Sequence, residues 1–368
     1  MILRPKQNAL VCEVRDRMRN FRSVVAVAAT GFGKTPTLAA VAAMAVARGK
    51  RVLITAHLAE IVDQISRTLD RFGLRHGRIQ PGHTQTDDLA QVAMIQTAAR
   101  RIDRIPSPDL IIVDECHHVV SSTYLRLLEA WPKARVLGFT ATPTRLDGRG
   151  LGDVFQTMVV GPQTGELIKD GALAAYDYFA PPTEIDLSGV KTRGGDFAVD
   201  ELAAAMDKAT ITGCAVEAYR QHLFPRAAIA FCVSIDHAKH TADQFRAAGL
   251  RSASIDGSMG KDVRRDLLAS IGDGRLHVLT SCSLIAEGVD IPTVGGVILL
   301  RPTQSVSAFL QSVGRALRVK PDGSRAVVLD HVNNVSRHGL PDAPREWSLA
   351  TKKRSASPGV TTCEQCYR

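Results

Sequence analysis

The chain has 368 residues, with 46 Lys and Arg against 37 Asp and Glu, a formal net charge of +9 and a pI near 9.3. Its 45% hydrophobic and 23% charged residues exclude a largely disordered chain, and the length suits two domains of ordinary size. The charge favours a polyanionic partner such as nucleic acid, although a basic protein without such a partner remains an alternative. Because only 5% of the residues are aromatic, we expect phosphate contacts rather than base stacking to dominate binding.

The start of the chain and its cysteines predict a cytoplasmic protein with no membrane segment. Arg4 and Lys6 precede any apolar run, so no secretory signal is recognised. The longest apolar stretch, 38–47, is too short and too rich in alanine to cross a bilayer. Seven scattered cysteines, odd in number, indicate a reducing compartment rather than a disulfide framework; they are Cys12, Cys116, Cys214, Cys232, Cys282, Cys363 and Cys366.

The first predicted element is a helix that begins at Pro5, within the sequence L-R-P-K-Q of residues 3–7. Gln7 could read an adenine edge, because its amide carries a donor and an acceptor side by side, and a solvated helix end is the alternative. The helix is predicted from apolar residues at helical spacing, which are Leu10, Val11, Val14 and Met18.

A loop at residues 28–35, A-A-T-G-F-G-K-T, connects an apolar run to an alanine-rich helical segment. A strand that turns into a helix through small residues directs several backbone N–H groups at one spot, where phosphate is favoured. Lys34 would reach the β and γ phosphates, and the Thr35 hydroxyl would hold Mg²⁺. Ala28 replaces the usual first glycine, and a chance glycine turn is the alternative. The predicted nucleotide contacts are Thr30, Gly31, Phe32, Gly33, Lys34 and Thr35.

Apolar runs alternate with helical segments after this loop, which predicts a parallel sheet covered on both faces. Strands are predicted at 52–56, 92–97, 110–113 and 136–140, and a helix at 58–72. In such a sheet ligands bind at the carboxyl ends of the strands. Polar residues that directly follow the strands are therefore candidates for the site.

Residues 109–118, D-L-I-I-V-D-E-C-H-H, place two adjacent carboxylates at the end of a predicted strand. Asp114 would hold Mg²⁺ through water, and Glu115 would orient the attacking water. A surface turn after a strand is the alternative. Cys116, His117 and His118 are consecutive and do not converge easily on one tetrahedral ion, so we expect His117 to form hydrogen bonds next to the nucleotide.

Taken in order, these motifs resemble those of superfamily two helicases, the DEAD/DEAH-box group. The resemblance rests on Lys34 and Thr35, on D-E-C-H at 114–117 and on T-A-T-P at 140–143. The run A-T-P-T-R-L-D-G-R-G-L at 141–151 is similar to a branch with phage-encoded helicases, excision-repair helicases and restriction-enzyme motor subunits. This branch points to DNA rather than RNA.

The resemblance also implies roles for residues outside the phosphate loop. Residues 3–7 resemble the adenine-reading motif, which implies nucleotide contacts by Arg4 and Gln7. Segments 55–64 and 95–98 resemble motifs that touch the nucleic-acid backbone, although His57 stands where the DEAD-box pattern has Arg. The implied strand contacts are Thr55, Gln96 and Thr97, and the implied coupling residues are His117, Thr140 and Thr142.

A second alternation of strands and helices begins at residue 227, after a predicted loop at 188–196. Strands are predicted at 227–233, 252–255 and 278–281, and helices at 236–248 and 263–271. We expect a second parallel-sheet domain without a phosphate loop of its own. The predicted domains are 1–173 and 174–345, followed by a basic tail at 346–368.

The sequence Q-S-V-G-R-A-L-R at 311–318 predicts a helix on which Gln311, Arg315 and Arg318 share one face. A solvated basic face is the alternative. Because the other domain carries a phosphate loop, these arginines would stabilise charge on the transferring γ-phosphoryl group. By resemblance this is the sixth helicase motif, and 278–292 is the fifth. The fifth motif implies nucleotide contacts by Gly288 and Asp290, and strand contacts by Thr280 and Ser281.

The C-terminal part combines a familiar tail with an incomplete metal motif. Residues 330–349 look like the tail segment of phage and prophage members of the family. Cys363 and Cys366 form a single C-x-x-C pair. A closed zinc site needs four ligands, so we expect no zinc in this chain.

The resemblance therefore implies two tandem RecA-like parallel-sheet α/β domains of the P-loop NTPase class, with ATP and nucleic acid bound at the interdomain cleft. The predicted function is an ATP- and Mg²⁺-dependent helicase or translocase on DNA, with possible protein partners in replication, repair or recombination. Two alternatives stay open. One is a motor that translocates, anneals or remodels without separating strands, and the other is a nucleic-acid clamp that binds ATP without productive hydrolysis. A phage origin would place the protein in the host cytoplasm.

Overall fold

The computed structural model describes residues 2–144, 150–181, 187, 189–193, 196–206, 209–282 and 294–350. The chain divides into two compact units. The first is Met1–Gln163 with a further segment that begins at Arg345, and the second runs from Thr164 to Pro344. The structure thus groups residues 164–173 with the second unit and residues 345–350 with the first, which differs from the predicted boundaries at 173/174 and 345/346.

The first unit is built on one parallel sheet. Its seven strands are β1 (Ser23–Val27), β2 (Val52–Ala56), β3 (His76–Ile79), β4 (Ala90–Met94), β5 (Leu110–Val113), β6 (Arg135–Thr140) and β7 (Thr157–Val160). They lie in the order β3-β4-β2-β5-β6-β1-β7, and every pairing is parallel. The helices described are α1 (Pro5–Asn20), α2 (Lys34–Val46), α3 (Ala59–Arg71), α4 (Ile95–Arg100) and α5 (Ser122–Ala130).

Strands β1, β2 and β5 read as continuous apolar runs because both faces of the sheet are covered. All their residues are buried. Helix α1 begins at Pro5 as predicted, since a fixed φ and a missing N–H suit the first turn. Its predicted apolar face buries Leu10, Val11 and Val14.

The strand order brings the segments predicted to be functional together at the carboxyl ends of the strands. Strands β5, β6 and β1 are neighbours, so their carboxyl ends lie side by side. The N–H of Ala28, directly after β1, donates to the carbonyl of Thr140 at 2.8 Å. The N–H of Asp114, directly after β5, donates to the carbonyl of Thr55 at 3.0 Å. The segments that follow these strands therefore lie close together.

One sequence-based assignment in this unit is wrong, and two of its strands were not predicted. Residues 92–97 were expected as one strand, but β4 ends at Met94 and α4 begins at Ile95. The pairing of β4 with β2 stops at Ala56↔Met94. The apolar residues that follow belong to helix α4, and they are buried as part of that helix. The edge strands β3 and β7 had no predicted counterpart.

The second unit repeats the parallel-sheet design. Its sheet contains β8 (Tyr176–Phe179), and a separate hairpin pairs β9 (Thr192–Arg193) with β10 (Asp196–Phe197). The other sheet strands are β11 (Ala228–Phe231), β12 (Ser252–Ile255), β13 (Val278–Ser281), β14 (Gly296–Leu299) and β15 (Ala326–Asp330), in the order β12-β13-β11-β14-β15-β8. The helices described are α6 (Thr164–Lys169), α7 (Val199–Met206), α8 (Ala209–His222), α9 (Ile235–Ala247), α10 (Lys261–Gly272), α11 (Val306–Gly314) and α12 (Asn334–His338).

The predicted strands and helices of this unit match β11–β13, α9 and α10 to within a few residues. The expectation of a plain loop at 188–196 is wrong in part, because Thr192–Arg193 pairs with Asp196–Phe197. The Asp196 carboxylate holds that hairpin against the chain after β14, where it accepts hydrogen bonds from the Gln304 N–H at 2.7 Å and the Thr303 hydroxyl at 2.9 Å. Such side-chain contacts are not visible in a periodicity pattern.

Residues 345–350 pack on the first unit. The Gln163 side chain binds the backbone of Arg345 twice, accepting from its N–H at 2.8 Å and donating to its carbonyl at 3.0 Å. Trp347 and Leu349 pack against the apolar core of this unit. No helix in the described part of the chain is both long and apolar enough to span a bilayer.

Gly138 in β6 allows close packing beneath the candidate site, and we expect Gly138→Ala to destabilise the protein by about 1–3 kcal/mol. An added Cβ would lie 2.6 Å from both the Cys116 Sγ and the Phe155 ring. Denaturant unfolding should show a lower midpoint for this variant. Gly257→Ala is the control, since nothing lies within 4 Å of its added Cβ. Equal midpoints for both variants would contradict this packing argument.

Candidate nucleotide-binding site

The loop between β1 and α2 has the backbone of a phosphate cradle. Gly31 and Gly33 have φ values of 85° and 95°, a left-handed conformation that favours glycine. A Cβ on Gly33 would also lie 2.4 Å from the Gln7 side-chain nitrogen. Helix α2 begins at Lys34, so its first free N–H groups face the loop. The local sequence therefore folds as an anion site at a helix N-terminus.

Arg4 and Gln7 brace this loop from α1. The Gln7 amide donates to the carbonyl of Phe32 at 2.9 Å and accepts from the N–H of Arg4 at 2.9 Å. The Arg4 guanidinium also donates to the Phe32 carbonyl. In this structure both side chains thus contact the phosphate loop itself, and their contact with an adenine stays a prediction.

Lys34 and Glu115 form a buried ion pair across the loop. The Lys34 Nζ lies 3.0 Å from the Glu115 Oε1, and both side chains are largely shielded from solvent. Glu115 has a φ of 46°, an uncommon left-handed conformation for a residue with a Cβ. Strained backbone of this kind clusters at functional sites, where the surrounding structure compensates for it.

The two adjacent carboxyl groups have opposite pKa shifts. Burial raises the pKa of Asp114 to about 6, and the neighbouring Glu115 charge adds to the rise. Burial also acts to raise the pKa of Glu115, but the Lys34 ammonium and His117 outweigh it and lower this pKa to about 2. Glu115 is therefore ionised throughout the physiological range, and Asp114 retains a proton more easily than an ordinary aspartate.

His117 connects the carboxylates to the end of β6. Its Nδ1 lies 3.4 Å from the Glu115 Oε2 and 3.2 Å from the Thr140 Oγ1. The Thr140 hydroxyl in turn donates to the Thr142 carbonyl at 2.9 Å and accepts from its N–H at 3.1 Å. The three predicted coupling residues are thus brought together in one hydrogen-bonded group.

A cluster of three histidine rings extends from this group. The His118 ring lies between His117, at 4.1 Å between ring centroids, and His57, at 4.8 Å. His57 follows β2, and its carbonyl accepts a hydrogen bond from the Gln96 side chain at 3.4 Å. Sequence reasoning identified His57 only as a departure from the DEAD-box pattern and gave His118 no role. A pattern of motifs carries no information on contacts between rings of segments that are far apart in the sequence.

The donor groups at this edge suit a magnesium-bound nucleotide. The Thr30 hydroxyl and the Asp114 Oδ1 are buried and have no hydrogen-bond partner among the described residues. Asp114 and Thr35 would offer hard oxygen ligands, which Mg²⁺ prefers. No cluster of three or more His, Cys, Asp or Glu residues suited to a metal occurs within the described ranges, and Cys363 and Cys366 lie outside them.

The residues predicted to contact a nucleic-acid strand differ in their exposure to solvent. Thr55 and Thr280 are fully buried, and their hydroxyls donate to the carbonyls of Ile112 at 3.2 Å and Ala238 at 2.7 Å. Ser281 and Thr97 are also buried, whereas Gln96 is exposed. Contact of these five residues with nucleic acid stays a prediction, and in this conformation only Gln96 presents its side chain at the surface.

The predicted arginine helix is shorter than expected. Helix α11 ends at Gly314, so Arg315 caps it and residues 315–317 form a turn. The expectation that Gln311, Arg315 and Arg318 share one helix face is therefore wrong. Gln311 is buried in the helix, whereas Arg315, at the start of the turn, and Arg318, directly after it, are half-buried. Gly288 and Asp290 lie outside the described residues.

Comparison with protein families matches both units. Residues 1–145 match the family described as type III restriction enzyme, res subunit, and residues 214–320 match the helicase conserved C-terminal domain. A 51.5 kDa protein of a Lactococcus phage is 31% identical over 339 residues, which cover 91% of this chain and 72% of that protein. The chain belongs to the superfamily two helicases. The predicted family is confirmed, and its helicase domains support ATP hydrolase activity.

Further similarities extend over most of this superfamily two chain. A Saccharomyces cerevisiae protein whose name includes ATP-dependent helicase IRC3 is 29% identical over 264 residues, which cover 69% of this chain but only 38% of the yeast protein. A fragment structure from Vibrio vulnificus, described as a type I restriction-enzyme HsdR subunit, superimposes with a TM-score of 0.73 at 23% identity and covers 93% of this chain and 66% of the fragment. This likeness confirms the two parallel-sheet domains of the helicase fold.

The raised pKa of Asp114 predicts that Asp114→Asn stabilises the nucleotide-free protein at neutral pH. A carboxyl whose pKa rises from 3.8 to about 6 on folding favours the folded state below pH 4, and this contribution is lost as the pH rises through 6. Thermal unfolding in EDTA should show a gain of up to about 3 kcal/mol for the variant at pH 7.5. The gain should shrink towards pH 4. A variant no more stable than the parent at pH 7.5 would refute the argument.

Proposed function

We propose that this chain is an ATP-dependent motor on DNA, which couples hydrolysis at the first unit to movement along a strand. The observation that carries the proposal is the placement of Lys34, Asp114 and Glu115 together at the carboxyl ends of β1 and β5. A phosphate loop beside one carboxylate that can hold Mg²⁺ and a second that can orient a water is the set of groups that phosphoryl transfer to water uses. The helicase-type match of both units supports the same activity.

Glu115 is the proposed group that orients the attacking water. Its low pKa leaves it ionised, so that it can accept a hydrogen bond from that water. Lys34, which pairs with Glu115 in this structure, would turn to the β and γ phosphates and release the carboxylate for this role. Asp114 and Thr35 would hold Mg²⁺, which supplies charge neutralisation at the phosphates when bound.

The second unit is proposed to supply positive charge for the transferring phosphoryl group. Arg315 and Arg318 lie on the turn after α11, and a guanidinium can bind two phosphate oxygens at once. Gln311 precedes them on the same segment and would contact the phosphates or the attacking water. The sixth-motif resemblance supports these roles, and charge supplied by one unit to a nucleotide held by the other would link hydrolysis to domain movement.

Contact with the strand would reach the carboxylates through His117, Thr140 and Thr142. The close contact of His117 with Glu115 and the hydrogen bonds from His117 through Thr140 to Thr142 form a continuous group at the ends of β5 and β6, so a shift of one end can alter the orientation of Glu115. DNA is the proposed partner because of the net charge of +9 and the match of the first unit to a restriction-enzyme family. A phage-type relative is consistent with action in a host cytoplasm.

Substitution of the proposed water-orienting residue, Glu115→Gln, should retain ATP binding and lower the ATPase turnover number by about a hundredfold or more. The glutamine amide has nearly the same size as the glutamate side chain, but it carries no negative charge and cannot accept a proton from the water. Steady-state ATPase rates and equilibrium binding of a fluorescent ATP analogue measure the two effects separately. Exposed Glu129 on α5 provides the matched control, Glu129→Gln. Unchanged turnover in Glu115→Gln would remove the catalytic assignment.

ATPase stimulation should distinguish the proposed motor from its alternatives. We expect single-stranded or duplex DNA to raise the rate above the basal value, and RNA of the same sequence to raise it less. Turnover that does not respond to any nucleic acid would exclude a motor, and ATP binding without turnover would favour the clamp. A forked duplex with a labelled strand then distinguishes the two kinds of motor: release of the labelled strand indicates strand separation, and its retention indicates translocation without strand separation.

A further inference from the structure

Lys320 is a buried lysine immediately behind the arginine-bearing turn. Only 7% of the residue is exposed, although lysine is among the residues least often buried. Its Nζ donates to the carbonyl of Ala316 at 2.9 Å and to the carbonyl of Arg318 at 3.4 Å. The side chain therefore points back into the turn rather than out to solvent.

This arrangement keeps a positive charge in a place that disfavours it. Burial lowers the pKa of Lys320 to about 8, and the nearby Arg226 charge adds to the decrease while Asp322 opposes it. At pH 7 the amine is still mostly protonated. Its charge is compensated by the two carbonyls to which it donates.

Three consecutive carbonyls of the turn have defined partners. Those of Ala316 and Arg318 accept from Lys320, and that of Leu317 accepts from the N–H of Ala174 at 2.8 Å. Ala316 and Leu317 are also buried at 0% and 2% exposure, so the middle of the turn is held by packing as well. The backbone between the two arginines has little freedom to rotate.

We propose that Lys320 is a positioning residue for Arg315 and Arg318, which fixes the turn so that both guanidinium groups are presented to the transferring phosphate. It acts through the backbone carbonyls and contacts no phosphate itself. The inference rests on the proposed function, in which Arg315 serves hydrolysis. Pre-orientation of this kind contributes to turnover, because the groups need no rearrangement at the moment of reaction.

Replacement of Lys320 tests the proposal, because loss of a positioning residue should lower kcat and leave the KM for ATP nearly unchanged. Lys320→Met keeps the length of the side chain but removes the donors, and we expect the DNA-stimulated kcat to fall about tenfold to a hundredfold. The KM for ATP should change by less than about threefold, since the phosphate loop lies in the other unit. Lys320→Arg, which retains a charged donor, should recover most of the rate. Lys261→Met, at an exposed lysine of α10, is the matched control.

A double-mutant cycle separates positioning from general structural damage. In an Arg315→Ala background, Lys320→Met should lower kcat by much less than in the parent, because the group to be positioned is gone. An equal loss in both backgrounds, or no loss in the parent, would overturn the proposal. If thermal unfolding shows that Lys320→Met is not folded, the same kinetic comparison is made with Lys320→Gln.

The cycle also distinguishes this inference from the proposed function. Arg315→Ala alone should lower kcat by about a thousandfold while ATP binding persists. A fully active Arg315→Ala variant would refute the arginine role and the positioning role together. An impaired Arg315→Ala variant combined with a fully active Lys320→Met variant would refute only the inference about Lys320.

Discussion

The ion pair between Lys34 and Glu115, at 3.0 Å, is the interaction that organises the nucleotide site of the first unit. It joins the helix that follows β1 to the segment that follows β5, at the edge where those strands end. A buried ion pair is stable only when its geometry and remaining hydrogen bonds compensate for the loss of water. Here the helix N-terminus, His117 and the end of β6 surround the pair, so the phosphate loop and the carboxylates are held as one group.

The same group contains features that oppose folding. Asp114 is buried next to a carboxylate that stays charged, and Glu115 has a left-handed backbone conformation. Proteins tolerate such features at sites that bind charged substrates, where a ligand can later satisfy the unpaired groups. The apolar strands β1, β5 and β6 supply the compensating burial, and Gly138 allows Cys116 and Phe155 to pack closely beneath the site.

The second unit uses the same sheet design for a different purpose. It presents cations after α11, where the first unit presents carboxylates after β5. Its arginine-bearing turn is not held by the helix, which ends at Gly314, but by hydrogen bonds to its carbonyls from the Lys320 side chain and the Ala174 N–H. In the proposed cycle each unit therefore contributes a pre-oriented part of the catalytic group, and the two parts differ in the sign of their charge.

The sequence by itself determined the phosphate loop, the adjacent carboxylates, most strands and the family. These features depend on residues close together in the chain, such as the glycines before Lys34 or the apolar run before Asp114. Only the tertiary structure decided that residues 95–100 are helical, that Thr55 and Thr280 are buried, that α11 ends before Arg315 and that three histidine rings meet beside Thr140. Each of these outcomes depends on contacts between residues far apart in sequence, and a local pattern of residue types does not contain them.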